Sequence, residues 1–308
     1  MTLVTTVAAP WGIWQCSDHR LTVGDELYDD WSAKHVVITC PNGDALLAYT
    51  GVGEIGIYTK PLDIHPEADV DALPSWLVDE RAKVGGFVSG PTSEWVLEAL
   101  SGESRSVADS VDHLCRAATA APGFRRSTIP TAFVLGAYVG SQAFFATVAN
   151  GGWIGTGPGS VTREESFRLS LMEVNGPGVT FAGAHGAVTQ EDRDRLVGII
   201  QRPPRDPLDY FELLADVNRR AARNGRFATY VSEHCTISYL PPERGAVHTH
   251  VETWGVEPPP DFVGGIEVVA FGVNLHRASA KMPHGGKFWL APTPPSADAP
   301  PHDALGGS

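Results

Sequence analysis

The first fifty residues consist almost wholly of strand-length apolar runs cut by turn residues, and this pattern constrains the fold more than any other feature of the chain. Leu3 to Val7 and Ile13 to Ser17 flank Ala9-Pro10-Trp11-Gly12, which predicts a hairpin at the start. His35 to Thr39 and Ala45 to Tyr49 flank Cys40-Pro41-Asn42-Gly43-Asp44, which predicts a second. Four strands are therefore expected before the first helix, with Gly51-Val52-Gly53-Glu54 as the place where that helix opens. The two N-terminal runs are apolar enough to be covered on both faces, so they belong inside a sheet and not at its edge.

Beyond residue 60 the pattern changes. Pro61, Pro66, Pro74 and Gly85-Gly86 break any long period in 61–104, leaving room for short helices at Ser75 to Lys83 and Ser93 to Leu100. Ser104 to Ala121 sets Val107, Val111, Leu114, Cys115 and Ala118 on one face of a core-facing helix. Ala132 to Val139 and Gln142 to Val148 predict a buried hairpin around Gly140-Ser141, and Phe167 to Val174 and Val179 to Ala182 two further strands. Thr189 to Gln201 and Pro207 to Asn224 follow as helices, then Tyr230 to Leu240 as a strand. This order suits an α+β fold of two stacked antiparallel sheets with helix pairs outside them. We divide the chain into a domain over 2–240, a strand-rich extension over 241–290 and a disordered tail over 291–308. The extension holds two runs, Ala246 to Trp254 and Ile266 to Leu275, that suggest an extra hairpin, and the tail is rich in Pro and small residues.

Composition narrows the function. With 23 Lys and Arg against 36 Asp and Glu in 308 residues, the formal charge is −13, the wrong sign for tracking phosphates, so neither nucleic acid nor an anionic membrane is an expected partner. Cys16, Cys40, Cys115 and Cys235 form no CxxC pair and read as buried, reduced thiols. The start has no Lys or Arg before Arg20, and no later run is apolar over the roughly 18 residues a membrane span needs, so a cytoplasmic soluble protein is expected. Gly155-x-Gly157-x-Gly159 opens no helix and reads as a turn, and no cofactor is expected. His248 and His250 share a strand face with Glu252, a pattern that describes a polar face better than a metal site. His234 and Cys235 are strand neighbours that point to opposite faces.

Thr2, Asp18 and Lys34 form the sharpest chemical constellation. If Met1 is removed, Thr2 carries a hydroxyl nucleophile and a free α-amine on one carbon, so nucleophile and base are adjacent by covalent geometry. An α-amine titrates at about 7.7–8.0 unperturbed, and a neighbouring Lys34 ammonium lowers that by like-charge repulsion, toward the range where a general base works best.

Thr2, the segment Ser17-Asp18-His19-Arg20 with Thr22, and Ser32-Ala33-Lys34 resemble the N-terminal threonine, Asp-x-Arg turn and lysine of the proteasome β-subunit family of N-terminal-nucleophile hydrolases. Ala48-Tyr49-Thr50-Gly51-Val52-Gly53-Glu54 is similar to the glycine segment that follows in that family, and the Met1-Thr2 start looks most like its bacterial two-ring member. The resemblance is clear over 2–56 and weaker over 179–240. It implies a four-layer αββα sandwich in which Thr2 is the nucleophile, Lys34 tunes its amine, Asp18 holds Lys34, and the Gly51 N–H faces the developing oxyanion. It further implies hydrolysis of a peptide or amide substrate by a homo-oligomer, with a ring as one form, and leaves an ATPase partner unspecified. Two departures stand beside it. Gly183-Ala184-His185-Gly186 lacks the family's supporting serine hydroxyl, and Phe227 to Ser232 lacks its aspartate and serine, leaving Tyr230 or Ser232 as substitutes. The alternative function is therefore a catalytically silent relative that serves in self-assembly or binding.

Overall fold

The computed structural model describes residues 2–23, 26–32, 34–58, 87–151, 163–244, 247–259 and 266–274. The elements in chain order are β1 (Leu3–Ala9), β2 (Gly12–Asp18), β3 (Leu21–Val23), β4 (Glu26–Asp29), β5 (His35–Cys40), β6 (Gly43–Thr50), β7 (Glu54–Tyr58) and β8 (Phe87–Pro91). Helices α1 (Thr92–Leu100), α2 (Val107–Ala120) and α3 (Pro122–Arg126) follow, then β9 (Ala132–Val139), β10 (Gln142–Gly151), β11 (Arg163–Glu173) and β12 (Gly178–Gly183). Helices α4 (Gln190–Ile199) and α5 (Asp209–Arg223) precede β13 (Cys235–Leu240), β14 (His248–Glu252), β15 (Ile266–Ala270) and β16 (Val273–Asn274).

Two large sheets organise this mixed α+β chain. One has the order β12-β1-β2-β13-β14, the other β11-β10-β9-β6-β5-β15-β16. Tight turns set the register: Ala9 pairs with Gly12 across Pro10-Trp11, Cys40 with Gly43 across Pro41-Asn42, and Val139 with Gln142 across Gly140-Ser141. The N-terminal hairpin lies inside its sheet, and β1 and β2 are buried at every position, as runs covered on both faces should be.

Each sheet carries helices on one face. Helix α5 packs on β2 and β13, and Tyr210, Leu213, Leu214 and Val217 join Leu3, Val7, Trp14, Cys16, Ile237 and Tyr239 in one apolar cluster. Helix α2 packs on the other sheet and buries Val107, Val111, Leu114 and Ala118, with Cys115 only half-buried. Its N-terminus is capped by the Ser106 hydroxyl, which accepts from the Asp109 N–H at 3.1 Å, and Thr189 caps α4 in the same way through Asp192. The opposite faces of the two sheets meet, β1 lying against β6, β9 and β10. Polar groups bond across this seam: Gln15 Nε2 donates to the Val134 carbonyl at 3.0 Å and the Tyr138 hydroxyl to the Ala9 carbonyl at 2.7 Å.

The structure corrects several sequence expectations. Among the described residues, β3, β4, β7 and β8 join the four expected strands ahead of α1. No helix opens at Gly51 to Glu54, because the Val52 and Gly53 carbonyls accept from the Thr92 hydroxyl and N–H at 2.7 and 2.9 Å, so α1 begins at Thr92 and Glu54 starts a strand. The strand placed over Tyr230 to Leu240 begins only at Cys235, since Asn218 Nδ2 draws the Ser232 and Glu233 carbonyls onto α5 and the chain before them turns. The runs over 246–254 and 266–275 make no hairpin with each other: β14 pairs with β13, while β15 runs parallel to β5 in the other sheet. The helix expected over 75–83, the glycine cluster at 155–159 and the tail over 291–308 lie outside the described residues.

Candidate active site

The site grows from the meeting point of β1, the end of β2 and the start of β5. Thr2 precedes β1, Asp18 ends β2, and Lys34 precedes β5; all three are buried, with Thr2 3% exposed. Lys34 Nζ donates to Thr2 Oγ1 at 2.7 Å, to Asp18 Oδ1 at 3.3 Å and to the Arg20 carbonyl at 2.5 Å. Three acceptors match the three hydrogens of an ammonium. Burial pushes the Lys34 ammonium down from the ordinary lysine range, and the Asp18 carboxylate opposes that. Asp18 is fixed in turn by two main-chain donors, Leu3 N–H at 2.6 Å and Arg20 N–H at 2.7 Å.

The main chain of Thr2 is gripped by Ala184 and Thr50, contacts that the sequence did not foretell. Its carbonyl accepts from the Ala184 N–H at 2.9 Å and the Thr50 hydroxyl at 3.1 Å, and its nitrogen lies 3.4 Å from Thr50 Oγ1. Gly183, with φ +73°, makes this possible: a Cβ there would stand 1.8 Å from the Thr2 carbonyl oxygen. Gly51, with φ +108°, leaves β6 directly after Thr50, and a Cβ on it would stand 2.2 Å from the Pro130 carbonyl oxygen. Val52 N–H then donates to Thr131 Oγ1 at 3.1 Å, so both flanks of Gly51 are held by buried threonines. The one sequence signal for Thr50 was a hydroxyl ending an otherwise apolar strand.

His19 and Arg20 wall the site on the Asp18 side. His19 Nε2 lies 2.7 Å from the Thr236 hydroxyl, and burial first and Lys34 second hold this imidazole neutral, well below the usual histidine range. Arg20 forks onto Asp30 at 2.8 and 2.9 Å, and the Trp31 ring stacks on His234 at 4.4 Å. Ser232, offered as a substitute for the family's missing hydroxyl, accepts instead from the His234 N–H at 3.1 Å.

The remaining candidates do not assemble. His250 Nε2 meets Glu252 at 3.3 Å, while the His248 ring lies against Tyr239 at 5.7 Å; among the described residues no group of three or more His, Cys, Asp or Glu side chains is placed to hold a metal ion. Cys235 faces α5 in the apolar cluster, where contact with Cys16 and burial push its thiol up, and all four cysteines are free. No described helix is long and apolar enough to cross a membrane.

No family model matches the chain, and no curated protein matches it. Solved structures do. A helical assembly of the Anbu complex from Pseudomonas aeruginosa is 11% identical with a TM-score of 0.45, covering 78% of this chain and 81% of that one. Anbu from Hyphomicrobium sp. strain MC1 is 12% identical with a TM-score of 0.42, covering 78% and 82%. Anbu, described as an ancestral beta-subunit, from Yersinia bercovieri is 13% identical with a TM-score of 0.38, covering 78% and 82%.

Proposed function

We propose that the chain is a proteasome-like N-terminal-nucleophile hydrolase of amide or peptide bonds, an αββα sandwich whose nucleophile is Thr2 once Met1 is gone. The contact of Lys34 Nζ with Thr2 Oγ1 at 2.7 Å, in a buried pocket anchored by Asp18, carries this reading. The Thr2 hydroxyl attacks the substrate carbonyl carbon while its proton passes to the freed α-amine. Lys34 disfavours protonation of that amine, so that it is free to act as the base near neutral pH, and stabilises the alkoxide. The oxyanion forms beside the Gly51 N–H, a fixed donor whose loss from such a site costs about 3–4 kcal/mol. The C–N bond then breaks, the amine hands its proton to the leaving nitrogen, and a water activated by the same amine hydrolyses the acyl ester.

One observation favours the second reading, a catalytically silent relative used for self-assembly or binding: Ala184 brings a methyl group where the family has a hydroxyl. One experiment separates the two. Intact mass shows whether Met1 is lost, and hydrolysis of a panel of peptide amides is compared across wild type, Thr2→Ala and Lys34→Ala. The hydrolase reading expects loss of Met1, no turnover by Thr2→Ala and a drop of at least about a hundredfold in Lys34→Ala. Retained Met1, or full activity in Thr2→Ala, would overturn it.

A further inference from the structure

The seven-stranded sheet ends at β11, and among the described residues nothing pairs with the outer edge of that strand. The edge is not uniform. At Phe167 the main chain is already occupied by α2: its N–H donates to the Thr119 hydroxyl at 3.1 Å and its carbonyl accepts from Cys115 Sγ at 3.5 Å. From Arg168 to Glu173 the strand pairs regularly with β10 on its inner side, leaving the outer side open. In that same stretch Leu169, Leu171 and Met172 are 39%, 59% and 54% exposed. Leu169 and Leu171 lie on one face of the strand and Met172 on the other, so a body docked on a single face would leave part of the apolar surface wet. A strand added along the edge covers both faces and satisfies the open main chain as well.

We infer that this edge is an interface with a second copy of the chain, β11 pairing antiparallel with itself across a two-fold axis through Ser170. Charge and geometry select the register. A two-fold normal to the sheet joins like faces, so each residue meets one of the same parity. An axis through Arg168 sets two arginines opposite each other, and one through Leu169 sets Glu165 opposite Glu173, and both also draw on the segment held by α2; an axis through Leu171 sets the apolar Leu169 against the Glu173 carboxylate. The axis through Ser170 opposes no like charges. It places Leu169 against Leu171 of the partner subunit twice, and Arg168, already paired with Glu164 at 2.6 Å, beside Met172 of the partner subunit.

This surface is independent of the Thr2 reading and is tested without any substrate. Ser170→Cys puts a thiol on the axis, within disulfide reach of its own copy. Under mild oxidation it is expected to give a covalent dimer, while wild type and Ser141→Cys, in the exposed turn between β9 and β10, give little. Adding Leu171→Lys, at a side chain exposed in the single chain, should raise the dimer dissociation constant in sedimentation by about tenfold or more and abolish the cross-link, with the circular dichroism spectrum unchanged. Cross-linking of Ser170→Cys no greater than that of Ser141→Cys, or a sedimentation profile that Leu171→Lys leaves unaltered, would overturn the inference.

Discussion

The two faces of the five-stranded sheet are made by the same strands and are equally dry, yet one is almost wholly apolar while the other mixes polar side chains with the apolar Val4, Ala8, Ile13 and Leu240. Toward α5 the strands present Leu3, Val7, Trp14, Cys16, Cys235, Ile237 and Tyr239; toward the other sheet the alternate positions include Thr6, Gln15, Ser17, Thr236 and Ser238, all buried. The first face is stabilised by area removed from water, and the second by a smaller apolar contribution together with hydrogen bonds that have to be made because no water is there to make them. The difference teaches where chemistry can live: the polar seam runs out to Thr2 and Lys34, which meet Asp18 there.

The sharpest way to break that contrast is on the apolar face. Trp14 is fully buried, stacks on Tyr239 at 4.8 Å and donates its indole N–H to the Pro207 carbonyl. Trp14→Ala should destabilise the protein by about 3–5 kcal/mol in urea unfolding; a loss under about 1 kcal/mol would mean that this face is not the main store of stability. Lys34→Met probes the seam. It strands a buried carboxylate, so a loss of about 3 kcal/mol is expected. Lys34→Met with Asp18→Asn should recover part of it, and a double variant worse than the single would refute the pairing logic.

The smallest effect is a pH dependence. His35 is buried between the sheets, with Nδ1 3.0 Å from the Ser238 hydroxyl, and burial pushes its imidazole down to about 3. Between pH 6.5 and about 3 the unfolded chain takes up a proton that folded His35 refuses, so stability falls as pH drops through that window. At pH 5 the deficit from this one group is about 2 kcal/mol, and buried His19 adds to it in the same direction. His35→Gln should flatten the fall in melting temperature between pH 7 and pH 5; an unchanged slope would show that His35 is not the source.

What the sequence disclosed follows the same division. Strands with period-two patterning and tight turns were legible, because alternation and turn chemistry are local. So was the Thr2, Asp18 and Lys34 trio, whose spacing follows a resemblance and whose lysine is scarce in this chain. The β3 and β4 hairpin was missed, since it is short, carries Glu26 and Asp29, and exposes Leu27 and Tyr28. Thr50, Thr92 and Thr131 were also missed, because each acts through a partner forty or more positions away, and no local period reports a distant hydroxyl. The separation of β14 and β15 into different sheets was illegible for the same reason.

The hold on the Thr2 carbonyl has a practical corollary. Ala184, Thr50 and the Asp18 contact at Leu3 all fasten the chain on the downstream side of the Thr2 nitrogen, so extra residues joined to that nitrogen leave every one of these bonds in place. A purification tag fused ahead of Thr2 would therefore yield protein that folds, melts and crystallises like the authentic chain while its amine is tied up as an amide. If Thr2 is the nucleophile, recombinant material prepared that way would keep its fold and be inert only because the amine is blocked.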